Sequence, residues 1–161
     1  YIRYSDHIKI TDHRKTERHV EIPETIENLP VTKIDEYAFG AEYSLESVTI
    51  PDTVTEIGNY AFSSCYNLRT VKLPTQLKIL NQGVFTYCYA LENIVVPENC
   101  TSILPNAFNE CRSLKEIELS ETLTFIASNA FQKCSSLEQI VIPDSVLVVK
   151  NTCIFKIIVL E

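Results

Sequence analysis

Cys65, Cys88, Cys111 and Cys134 follow one another at intervals of 23 residues, with Cys100 and Cys153 outside that series. A thiol can attack a substrate or bind a metal as the thiolate, and two thiols can form a cross-link. Each use sets a condition on the neighbours. A cysteine hydrolase needs an exposed, activated thiolate with a histidine in hydrogen-bond reach. His7, His13 and His19 instead all lie in the first 19 residues, far along the chain from most of the cysteines. Zinc is disfavoured because there is no C-x2-C pair and no histidine in the cysteine series. Disulfides stay open, since neighbouring extended segments stack about 5 Å apart and a bridge tolerates that separation when its dihedral angle fits. The favoured reading is free, buried thiols that pack as small hydrophobes.

Other chemistry finds less support. No Ser/His/Asp spacing is present, and three glycines in all exclude a phosphate-binding loop or a dinucleotide fingerprint. The expectation is no catalytic residue, no cofactor and no metal. Acidic residues recur after prolines or their equivalent as Asp52, Glu98, Glu121 and Asp144. Stacked carboxylates hold calcium in some proteins, but turn chemistry after proline is the simpler account. A net charge of -7 gives nucleic-acid binding no electrostatic support. The basic residues that do cluster, Arg3, Lys9, Arg14, Lys15 and Arg18, share the first 19 positions with Asp6, Asp12 and Glu17, as expected of a solvated end. The apolar run CIFKIIVL is interrupted by Lys156 and falls short of the ~20 residues of a membrane helix, so no membrane insertion is expected. The chain opens on Tyr1 without a charged segment leading into an apolar one, which reads as a mature form or an excised piece.

The cysteines are one column of a larger repeat. At the same 23-residue interval stand Phe39, Phe62, Phe85, Phe108 and Phe131, and likewise Leu45, Leu68, Leu91, Leu114 and Leu137. Val48, Val71, Ile94, Ile117 and Ile140 form a further apolar column, and so do Ile57, Leu80, Ile103, Ile126 and Val149. Within a unit, L-x-x-V-x-I/L-P sets alternate apolar residues on one face of a short strand, which proline ends for want of an N–H. Ala61, Phe62 and Cys65 stand at i, i+1 and i+4, the spacing of a short helical turn with one buried side. Cys100 takes the column of Val54, and Cys153 that of Ala61 with Ile154 in the phenylalanine column. Each cysteine thus occupies a place for a small apolar side chain. No unit covers its own apolar face, so neighbouring coils must stack around a shared core.

The stretch IPDTVTEIGNYAFSSCYNLRTV resembles the leucine-rich repeats of the BspA-like family, whose units read roughly I-P-x-x-V-x-x-I-G-x-x-A-F-x-x-C-x-x-L. The resemblance implies an α/β fold: a right-handed leucine-rich-repeat solenoid with a parallel β-sheet face and short helical turns. The chain is read as a single domain, residues 1–161. Residues 1–22 form an N-terminal cap, residues 23–144 about five repeats of 23 residues, and residues 145–161 a degenerate cap or truncated repeat. The extra ENLPV in the first unit resembles a common lead-in turn of the family. The family likeness also implies an extracellular or cell-surface protein that binds other macromolecules.

Two exposed columns are candidates for recognition. Glu46, Arg69, Glu92, Lys115 and Glu138 alternate in sign, so neighbouring coils attract there and the column reads as stacking support. Tyr43, Tyr66, Tyr89 and Arg112 follow the cysteine position, with Tyr60 and Tyr87 expected nearby. Tyrosine and arginine are enriched at binding hot spots, so these four are the candidate ligand-binding residues. The alternative is that the tyrosines stack on one another and shield the turns. The resulting functional reading is a non-catalytic surface or secreted module, acting as a monomer, that binds a protein or, as the second choice, a glycan. A structural spacer within a longer surface protein is the alternative.

Overall fold

The computed structural model describes residues 1–13 and 16–150 together with the strand at 158–159. Arg14, Lys15, Cys153 and Ile154, which enter the sequence expectations, lie outside the described residues. The strands are short. In chain order they are β1 Ile2–Arg3, β2 Ile8–Ile10, β3 His19–Glu21, β4 Thr25–Ile26, β5 Leu29–Ile34, β6 Ser47–Thr49, β7 Glu56–Ile57, β8 Thr70–Lys72, β9 Ile79–Leu80, β10 Asn93–Val95, β11 Ser102–Ile103, β12 Glu116–Glu118, β13 Phe125–Ile126, β14 Ile140–Val141, β15 Val148–Val149 and β16 Ile158–Val159.

The 23-residue interval becomes the pairing register. Ser47 lies opposite Thr70, Ile94 opposite Ile117, and Ile103 opposite Ile126, all in parallel. One ladder carries the L-x-x-V-x-I/L-P strands: β3, β6 and β8 pair, as do β10 with β12 and β14 with β16. The other carries the strands around the second apolar column, with β9, β11, β13 and β15 in one sheet and β2, β5 and β7 in another. The coils build a right-handed solenoid of about six turns. At the start, His19 pairs with Ser47, so the first step is longer than 23 residues. The added residues make an antiparallel hairpin between β4 and β5, whose Glu27 and Asn28 both adopt left-handed backbone (φ 51° and 63°). Two such residues in succession are what a tight two-residue hairpin requires. At the far end Ile140 pairs with Ile158, a shortened step.

The third side of each coil corrects the expected helical turns, and with them the α/β class. No helix occurs among the described residues. Along Tyr60–Cys65 the amides alternate in where they donate. Tyr60, Phe62 and Ser64 donate to Gln82, Val84 and Thr86 of the next coil, while Ala61, Ser63 and Cys65 donate back to Gly58, Tyr60 and Phe62 within their own. A helix would keep all of these bonds to itself. Left-handed backbone at Tyr60 (φ 55°) and Ser64 (φ 61°) breaks any helical run. The same two positions recur as Tyr37 and Ala41, Gly83 and Tyr87, Asn106 and Glu110, and Asn129 and Lys133. Two linked turns share the i, i+1, i+4 apolar spacing with a helical turn, so spacing alone did not separate them.

Between these sides lies the core. Phe39, Phe62, Phe85, Phe108 and Phe131 are buried and stacked, with successive ring centroids 4.9, 5.5, 5.6 and 5.5 Å apart. His13 continues the ladder at 4.8 Å from Phe39. The leucine column is buried from Leu45 to Leu137, and the second column from Ile57 to Ile126, whereas Val149 is exposed.

Candidate recognition surface

Cys65, Cys88, Cys100, Cys111 and Cys134 are free and buried. In the repeat column each thiol donates to the phenylalanine carbonyl of the preceding coil: Cys65 to Phe39 at 3.0 Å, Cys88 to Phe62 at 3.2 Å, Cys111 to Phe85 at 3.2 Å and Cys134 to Phe108 at 3.1 Å. Burial pushes the Cys65 and Cys134 thiols up to about 12, and those of Cys88 and Cys111 well above the usual range. A thiol held neutral is a poor nucleophile and a poor metal ligand. No group of three or more His, Cys, Asp or Glu placed to hold a metal occurs among the described residues.

Among the acidic residues that follow the prolines, Asp52 does turn work. It accepts hydrogen bonds from the Thr75 amide at 2.8 Å and the Thr75 hydroxyl at 3.1 Å, and the amide bond foremost holds its carboxyl below the usual range.

The charged strand column pairs across coils, though not uniformly. Arg18 meets Glu46 at 3.1 Å, and Glu92 is flanked by Arg69 at 3.3 Å and Lys115 at 3.2 Å. Arg69 therefore turns toward Glu92, while Glu46 turns toward Arg18.

The four candidate ligand-binding residues are brought into one stripe. Tyr43 stacks on Tyr66 and Tyr66 on Tyr89, each at 4.9 Å, and the Arg112 guanidinium lies 4.7 Å above the Tyr89 ring. Stacking does not bury the stripe: Tyr43 is 55% and Tyr66 39% exposed. Tyr66 and Tyr89 sit where the chain leaves an inward cysteine and heads for the inward leucine, which forces the residue between them outward, and Tyr43 holds the same place in its coil after Glu42. Tyr87 adjoins the stripe, edge to face with Tyr89 at 6.2 Å. Tyr60 does not join it and stacks on Tyr37 at 5.2 Å.

Sequence reasoning missed Glu110 and Lys133, which share a 23-residue column with Tyr87. The Glu110 side chain is only 5% exposed and holds two cations, Arg112 at 2.8 Å and Lys133. Those cations, Lys133 foremost, keep its carboxyl below the usual range. The signal was present in the change of that column from Ser64 and Tyr87 to Glu110 and Lys133, the two charged residues falling beside Arg112.

A sequence profile of the BspA type leucine rich repeat region matches six copies across residues 32–159. Among solved structures, a leucine rich repeat protein of T. pallidum is 33% identical with a TM-score of 0.83, covering 86% of this chain and 64% of its own. A leucine rich cell surface protein of Faecalibacterium prausnitzii is 33% identical with a TM-score of 0.71, covering 76% of this chain and 31% of its own. A leucine-rich repeat protein of Bacteroides capillosus is 31% identical with a TM-score of 0.65, covering 73% and 89%. The chain thus spans less than two thirds of the first two proteins. No curated protein matches it. With the repeat columns, the parallel ladders and the profile in agreement, the chain belongs to the BspA-type leucine-rich repeat family.

Proposed function

We propose that this chain is a non-catalytic recognition module, secreted or displayed at a cell surface, that binds a protein partner through Tyr43, Tyr66, Tyr89 and Arg112. The observation that carries the proposal is the exposed stripe, in which three rings and a guanidinium are stacked in advance across four coils. Side chains already ordered lose little freedom on binding, so contact there is cheap in entropy. The strand column offers less, because its charges engage one another. The surface location draws on family membership and on the F. prausnitzii cell surface protein. Absence of catalysis is in keeping with the neutral, buried thiols.

A screen against extracellular matrix proteins and glycans, followed by titration, tests the proposal. Tyr66→Ala with Tyr89→Ala is expected to weaken an identified partner by about 2 kcal/mol or more, as hot-spot truncations do. Arg69→Ala is expected to leave affinity near its original value. The opposite ranking, with folding checked by circular dichroism, moves the site to the strand face. Indifference to both favours the spacer, a reading that the mutual stacking of the rings also accommodates.

A further inference from the structure

We infer that the Arg112 end of the stripe is an anion-reading subsite, and that the segment of the partner seated there is an acidic peptide. The inference rests on the recognition role proposed above and adds the partner's chemistry to it. One carboxylate, Glu110, serves two cations, so the cluster of Glu110, Arg112 and Lys133 carries one positive charge in excess on a chain whose net charge is -7. Glu110 is buried beneath them, yet the side chains of Arg112 and Lys133 stay 58% and 64% exposed. Arg112 spends Nε and Nη2 on Glu110, and Nη1 stays available as a donor to an incoming carboxylate. Tyr89 supports the guanidinium from below, and the exposed Tyr87 borders the cluster on the other column. The far rim is neutral: the Ser135 hydroxyl and the Ser136 amide both donate to the Arg112 carbonyl.

Two features choose a peptide over other anions. The faces of Tyr66 are taken by Tyr43 and Tyr89, and those of Tyr89 by Tyr66 and Arg112, so these two rings offer edges and hydroxyls rather than a face on which a sugar could stack. The chain's overall negative charge opposes long polyanions, whereas a short run of carboxylates meets the local excess alone.

The test titrates the full chain with hexaglutamate at low and moderate salt, with hexalysine and heparin as comparison ligands. Hexaglutamate is expected to bind and to weaken with salt. Two substitutions should act in opposite directions. Lys133→Gln leaves the Arg112–Glu110 pair intact and removes the excess charge, weakening hexaglutamate about fivefold or more; Glu110→Gln keeps both cations and tightens it severalfold. Thermal unfolding checks that each variant folds. Equal affinity across wild type, Lys133→Gln and Glu110→Gln overturns the inference, as does tighter binding of hexalysine or heparin. Failure of hexaglutamate while an identified partner is still lost on Tyr66→Ala with Tyr89→Ala overturns the acidic-peptide inference and spares the recognition role. Lys133-dependent binding of hexaglutamate with a stripe that no partner needs does the reverse.

Discussion

The Cys65 thiol, pushed up to about 12 by burial, keeps its proton in the fold at a pH where the unfolded chain has lost it. An exposed thiol titrates near about 8.5, so stability is fully present below that value and declines as pH rises toward the folded value. Each such thiol removes about 1.4 kcal/mol per pH unit in that window. Urea midpoints at pH 7.5 and 9.5 are therefore expected to fall steeply in the wild type, and less steeply in Cys65→Ala by about that increment. An identical slope would show that Cys65 titrates alike in the native and the unfolded chain. Gly83 illustrates a different constraint. Its φ is +59°, but Tyr60 and Asn106 occupy the same column at similar angles, so backbone alone does not demand glycine. The Tyr60 ring does: a Cβ at residue 83 would stand 2.2 Å from its Cε1 atom. That ring is fixed by stacking on Tyr37 and by the Gln82 amide, which donates to its hydroxyl at 2.7 Å. Gly83→Ala is expected to cost about 2 to 4 kcal/mol in chemical denaturation, falling to about 1 when Tyr60 is also Ala. An undiminished cost in the double variant would place the strain in the backbone.

At the scale of the element, the phenylalanine ladder and the linked turns hold each other. Phe62 and Phe85 donate their amides to Val84 and Ala107 of the next coil, and their carbonyls receive the thiols of Cys88 and Cys111. The buried rings stack through the same segments. Phe85→Ala is expected to cost about 3 to 5 kcal/mol, as central aromatic truncations do. A loss below about 1 kcal/mol, measured by urea unfolding, would mean that neighbouring coils close the space without it. The charged strand column belongs to a weaker class. Arg69 and Glu92 are substantially exposed, and such pairs contribute about 0.2 to 1 kcal/mol. Arg69→Ala should lower stability by no more than that, and less at high salt.

At the scale of the whole molecule, each coil contacts chiefly its neighbours, so stability accumulates along the stack and a central defect divides it. Phe85→Ala should for that reason broaden the unfolding transition, whereas Arg69→Ala should only shift it; coincident, equally sharp transitions would show that the solenoid unfolds as one unit. The stripe from Tyr43 to Arg112 crosses four coils, so partner binding should sharpen the transition by linking them. Much of this architecture was legible in the sequence. A period of 23 residues fixes the pairing register, because parallel strands of successive coils must align equivalent residues, and Ser47 opposite Thr70 is that arithmetic made physical. The buried columns and the outward tyrosines followed from the same alternation. Three things waited on the tertiary structure. The spacing from Tyr60 to Cys65 reads as helical, since apolar spacing does not say whether an amide donates within its coil or across to the next. His13 completes the aromatic ladder from outside the repeat, a place that no column predicts. The repeat column sets residue 133 beside residue 110, but side-chain packing, which the period does not specify, buries the Glu110 carboxylate and turns it to both Lys133 and Arg112 of its own coil.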